Sequence, residues 1–363
     1  MPPTAKTCSH AVLQLDPSPF ASLAGYTLFT TQKRAAAETP SGRASKTSAT
    51  YSNQLFPPPL VLPHDDLNYD PECPPQSVNS WLRGETRNKM SPEDGRDVLY
   101  VARVPEIGAK MKFMRDWTIP VLGLDKQENQ HLAIPCPDAA LFVDYMTAFY
   151  HGMHVKTLPE PLRWANWGNS TQPRRQANLP KYVGLEHGSE CTRIRVRKAP
   201  DGVFTAQLNL DDVIDAAIAM LPADAYALLL LVEHDIYESE DDDFCCGRAY
   251  GGSRVAVVQS ARYNPLLDAS EKIDRTHMWP LSHCKSFVDR LCKVEDVDPQ
   301  LPTKQQVAAS KKGPIKAAIK AASGLQTSLN PEQETSALWF SRLARTVSHE
   351  LGHCFGSAQC VYY

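Results

Sequence analysis

The sequence predicts a mixed α/β fold of the α+β kind, a mixed sheet covered by helices. Three features predict it. Apolar runs of strand length alternate with amphipathic stretches of helix length. Gly- and Pro-containing turns separate them. A long helical pattern beginning at Pro331 closes the series.

The first strand is "RDVLYVARV" (Arg96–Val104), which is rich in Val and alternates in character. "PDAALFVDYMTAFYHG" follows as a helix with Leu141, Phe142, Tyr145, Met146 and Phe149 on one face, and "MHVKTL" behind it reads as a short strand. "NLDDVIDAAIAMLP" is a second amphipathic helix. Asn209 can cap it, and Val213, Ile214, Ala217, Ile218 and Leu221 form its buried stripe. The run Tyr226–Val232 has the length of a buried strand, and "SRVAVVQSARY" (Ser253–Tyr263) is another, preceded by the turn signal "YGG".

Three segments fall outside this alternation. Residues 1–53 lack periodicity and read as a disordered segment that does not fold alone. Residues 54–95 are Pro-rich and read as an extended segment wrapped on a domain surface. Residues 96–363 then form the main domain, with a Lys/Ala-rich surface insertion at about 296–330.

Composition excludes several classes of function. Lys and Arg number 38 against 41 Asp and Glu, so nothing suggests nucleic acid or a charge-driven partner. The N-terminus lacks the pattern of a secretory signal, and no apolar run is long enough to span a bilayer. The ten cysteines are scattered, which predicts reduced thiols in a soluble intracellular protein, and there is no CxxC to suggest a redox role. Cys245 and Cys246 read as two packed thiols, and Cys354 as a small buried residue.

The last helix carries the chemistry. Asn330, Pro331 and Gln333 fit a capped N-terminus, and the pattern can run to Gly356. At 100° per residue, Phe340, Leu343, Ala344, Val347 and Leu351 share one side. His349 and His353 fall nearly opposite, about 40° from each other. A rigid i, i+4 pair offers two imidazoles to one zinc ion without bending the backbone. Glu350 stands where a general base for the metal-activated water would stand. Gly356 can turn the chain back past the end of the helix. The competing reading is a core helix with two incidental histidines.

HExxHxxG with a turn at the glycine is the metzincin pattern, and "HELGHCFGSAQC" resembles the archaemetzincins, whose pattern is HExxHxxGxxHC followed by a CxM and a CxxC. "PPPLVLPHDDL", "PPQSVNSW", "MHVKTLP" and "FCCGRAYGGSRVAVVQSARY" also resemble that family. The resemblance implies a metzincin-like twisted mixed sheet with an active-site helix. It also implies a catalytic zinc and a peptidase or aminopeptidase-like activity on a peptide or protein substrate, in the cytoplasm or nucleus. His349 and His353 would then be ligands and Glu350 the general base. Val255, Ala256, Val257 and Val258 would form an edge strand that pairs with the substrate; an ordinary core strand is the alternative.

Two departures accompany the resemblance. Gln359 stands at the third ligand position, where a neutral amide is a poor zinc donor. The sequence also stops at Tyr363, before the CxM and CxxC, as if cut just after the active-site helix. By that resemblance Cys360 would be the remnant of a structural zinc site, and a second, structural zinc is not expected. His277 and His283 read as ordinary surface or core histidines. The competing function is a catalytically dead, truncated relative acting as a binding module.

Overall fold

The structure is a computed structural model that describes residues 8, 10–44, 60–63, 65, 76–85, 87–90, 95–122, 134–168, 179–325 and 329–358. The chain forms two compact units. One unit comprises 1–84, 273–330 and 358–363, and the other 85–272 and 331–357.

The second unit is mixed α/β and contains all the strands named here. In chain order they are β1 (Val98–Ala102), β2 (Glu106–Ile107), β3 (His154–Thr157), β4 (Leu162–Asn166), β5 (Tyr182–His187) and β6 (Glu190–Arg197). Then come β7 (Gln207–Asn209), β8 (Ala225–Val232), β9 (Asp235–Tyr237), β10 (Gly247–Tyr250) and β11 (Val255–Gln259). Five of them form a sheet in the order β10-β11-β8-β1-β3, parallel except for β10. The other six form a second sheet, β2-β4-β5-β6-β7-β9.

The apolar runs of β1, β8 and β11 are buried at every position. Such strands need cover on both faces. On one face Tyr100, Leu228, Leu230, Val255 and Val257 pack with the second sheet and with the Leu210–Ala219 helix. On the other, Leu99, Leu229, Ala256 and Val258 pack with Phe142, Met146, Leu343, Val347 and Leu351 of two helices, Ala139–Phe149 and Pro331–Cys354.

Val255–Val258 therefore do not form an edge strand. β11 lies between β8 and β10, and all four residues are fully buried. The edge belongs to β10, a short Gly-containing segment whose apolar content is too low to mark it as a strand. The 139–149 helix buries Ala139, Phe142 and Met146, whereas Leu141 and Phe149 are exposed. Leu141 sits one residue from Phe142 and so is turned about 100° off the stripe. Ile218 is likewise exposed beside the buried Val213, Ile214 and Ala217, and Asn209 caps that helix through the Asp212 N–H.

The first unit redraws the sequence boundaries. Within 1–53, Phe20, Ala21 and Ala24 pack with Val61, Val288 and Cys292. Within 296–330, Ile319 packs with Leu13 and Leu281, so this stretch helps build a core instead of riding on the surface as an insertion. Within 54–95, Val78–Arg83 is helical behind a Ser77–Ser80 capping box. That helix lies between Pro75 and Pro92 with no proline inside it, which removes the objection to it. Among the described residues no helix is long and apolar enough to cross a membrane.

Candidate metal centre

The Pro331–Cys354 helix ends as its glycine requires. Gly356 takes φ 83°, the left-handed conformation that glycine adopts without steric cost. The Ser357 N–H reaches the Gly352 carbonyl at 3.0 Å and the Gly356 N–H reaches that of His353 at 2.9 Å, the bond pair of a Schellman motif. This turn presents the Ser357 carbonyl to His353 Nδ1 at 3.1 Å. With Nδ1–H donating there, His353 Nε2 carries a lone pair.

That nitrogen stands 3.2 Å from His349 Nε2, with the two rings at 89°. Two nitrogens bound to one tetrahedral zinc lie about 3.4 Å apart. The pair can share one proton or flank one ion, and its spacing fits the ion. Burial, and then the neighbouring His353, holds His349 below the ordinary histidine value, which favours the neutral imidazole a metal needs.

Glu350 is buried, 5% exposed, on the helix flank that faces β10. A Cβ placed on Gly247 of that strand would stand 3.3 Å from Glu350 Cγ, so glycine there leaves room for the carboxylate arm. Burial raises the Glu350 pKa, while the charges of His353 and Arg248 and the Ala249 N–H pull it down. The Arg248 charge is shared, because its guanidinium also pairs with Glu238.

The end of the helix is clamped. Asn88 Nδ2 donates to the carbonyls of Gly251 and Cys354, and Tyr226 Oη donates to the Asn88 carbonyl at 2.8 Å. Phe355 lies between the rings of Tyr150 and Tyr226, at 4.6 and 4.7 Å. About two turns earlier, Tyr150 Oη donates to the Ser348 carbonyl at 2.8 Å. Cys354 is buried, and burial pushes its thiol up to about 12, the behaviour of a packing residue. Cys245 is likewise pushed up to about 12 by burial.

The structure thus brings together His349, Glu350 and His353. Val255–Val258 lie in the sheet beneath the helix, and Gln359 and Cys360 fall outside the described residues. His277 and His283 are buried in the other unit. There His277, with Cys8 and His10, forms a group whose ligand atoms lie within 4.8 Å of one another and can hold a metal ion. Sequence reasoning missed this group. Its only local sign is the C-x-H spacing of Cys8 and His10, and the third member is remote in sequence.

A cleft of about 200 Å³ lies between Thr118, Cys136, Glu233, Ser260 and Trp339. Trp339 is ten residues before His349, about 15 Å along the helix, so this cleft is separate from the histidine pair. No family model, curated protein or solved structure matches the chain.

Proposed function

We propose that the chain is a zinc-dependent peptidase of the archaemetzincin type, with a metzincin-like catalytic unit that hydrolyses peptide bonds. One observation carries this reading: two imidazole Nε2 atoms 3.2 Å apart on one helix, with the buried carboxylate of Glu350 between them in sequence. His349 and His353 would hold the ion. When bound, a divalent zinc supplies Lewis acidity and lowers the pKa of water toward about 7.

The protein's own groups do the rest. Glu350 takes a proton from the attacking water and returns it to the departing amine nitrogen. Its burial suits both halves of that task, because a carboxyl raised toward neutrality holds a proton long enough to deliver it. The Ser357 carbonyl fixes the ring of His353. Among the described residues β10 pairs with β11 alone, and its other side would offer main-chain groups to an extended peptide.

The test is zinc content and peptide hydrolysis measured together. Glu350→Gln should lower hydrolysis by about 10²–10⁴-fold with metal content unchanged. Equal hydrolysis in that variant would remove the peptidase reading. Bound zinc with no hydrolysis in the unaltered chain would favour the non-catalytic binding module, the reading to which Gln359 points.

A further inference from the structure

We propose that Cys8, His10, His277 and Cys284 hold a structural zinc ion that ties the start of the chain to the 274–286 region of the same unit. The ligand atoms of Cys8, His10 and His277 already lie within 4.8 Å of one another. What identifies a metal site is the state of the imidazoles.

His277 Nδ1 bonds Asp274 Oδ2 at 2.9 Å, and His10 Nε2 bonds the Thr276 carbonyl at 3.2 Å. An oxygen acceptor on one ring nitrogen fixes the proton there and leaves the other nitrogen with a lone pair. This is the outer support that metal-binding histidines carry. The remaining nitrogens, His277 Nε2 and His10 Nδ1, are both buried without a hydrogen-bond partner. Two such orphans beside one thiol are costly unless an acceptor of lone pairs sits among them.

One ring is held in place from outside, where His277 stacks on Phe287 at 4.2 Å. The His10 ring lies 5.4 Å from that of His277 and 11° from parallel, so it must turn for both in-plane lone pairs to meet one ion. His10 is held at φ 46°, a conformation uncommon for any residue but glycine. Its carbonyl accepts from Lys316 Nζ at 3.1 Å. The chain on either side is already registered: Lys285 N–H donates to the Val12 carbonyl at 2.9 Å and Gln14 N–H to that of His283 at 3.1 Å.

The fourth donor is Cys284. It is 1% exposed, and its sulfur lies 3.1 Å from that of Cys8. Ser286 Oγ contacts both sulfurs, at 3.3 and 3.1 Å. Two sulfurs on one tetrahedral zinc stand about 3.8 Å apart, so binding requires them to part by about 0.7 Å. Cys284, outside the group of ligand atoms within 4.8 Å of one another, must also swing toward the imidazoles. Two thiolates and two imidazoles neutralise a divalent charge and form a donor set that selects zinc. This site shares no residue with the His349–His353 pair.

The test uses the full chain carrying His349→Ala and His353→Ala, reduced and loaded with Co²⁺. The variant should retain about one ion per chain with a thiolate-to-cobalt charge-transfer band. Adding Cys8→Ser should abolish the band, and adding Asp274→Ala should weaken binding about 10–100-fold. In the unaltered chain, chelation should raise the rate of Cys8 alkylation at least about tenfold, located by peptide mass spectrometry. Absence of the band before Cys8 is changed, or alkylation indifferent to chelator, overturns the site. So does a Cys8–Cys284 disulfide in the purified chain. None of these outcomes bears on hydrolysis at Glu350.

Discussion

Gly251 packs directly against the carbonyl of His353: a Cβ built on the glycine would stand 2.6 Å from that oxygen. The loop after β10 and the end of the histidine helix therefore have a fixed separation, held by Asn88. Gly251→Ala should push the helix end away and spread the two imidazoles. Metal affinity should fall about 10–100-fold, as for loss of an outer support, with secondary structure unchanged. Isothermal titration with zinc in a Cys8→Ser background measures it, and unchanged affinity would show that the contact does not position the site.

Replacing Gln359 by histidine tests the ligand seat that the sequence places six residues after His353. Imidazole is a far better zinc donor than a neutral amide. Gln359→His should tighten binding by at least about tenfold and raise hydrolysis with it. Competition against a chromogenic chelator reads the affinity.

Arg262 anchors a buried ion pair. Its guanidinium bonds Asp235, with Nε to Oδ1 at 3.0 Å, and also Asp201, between the rings of Phe204 and Phe244. The Asp235 side chain is 0% exposed. Burial pushes that carboxyl up despite its partner, while the two carboxylates hold Arg262 above its ordinary value against its own burial. Arg262→Met strands a buried charge and should cost about 3–5 kcal/mol. Asp235→Asn in the same chain should recover part of that loss, read as a coupling above about 1 kcal/mol in a urea double-mutant cycle.

His234 should make the fold sensitive to mild acid. It is buried between Trp117 and Trp164, with Nε2–H donating to the Met114 carbonyl at 3.2 Å. Burial lowers its pKa from 6.5 to about 4. Above the upper value neither folded nor unfolded chain is protonated there, and the imidazole carries no penalty. As pH falls between the two values, only the unfolded chain takes up the proton. Stability should then decline by about 3 kcal/mol and level off below the lower value. Urea midpoints across that window measure the decline, and His234→Phe should flatten it.

Local patterns in the sequence reveal part of this architecture. The runs that became β1, β8 and β11 are apolar at nearly every position because both faces are covered, and such runs stand out in sequence. The i, i+4 histidines are legible because helical period alone places them together. Sheet order is not local: nothing in "VAVVQ" says that "GRAY" pairs beside it and takes the edge. The helical face at Phe142 is misjudged for the same reason, since Leu141 is as apolar as Phe142 about 100° away, and only the packing partner decides which of the two sides is buried. The first unit is the hardest to read. Its cores join Leu13 to Leu281 and Phe20 to Val288, and chain separations of that size leave no periodic signal.

The sheet face that carries Leu229 and Leu231 waits for Leu343, Val347 and Leu351, which emerge from the ribosome roughly a hundred residues later. Until then a nascent polypeptide has only the earlier Ala139–Phe149 helix to lay over that face, and the remainder of it stays uncovered, the kind of surface that chaperones seek. The imidazole pair that could grip an ion travels on that same late cover, so metal capture and completion of the hydrophobic interior coincide during biogenesis.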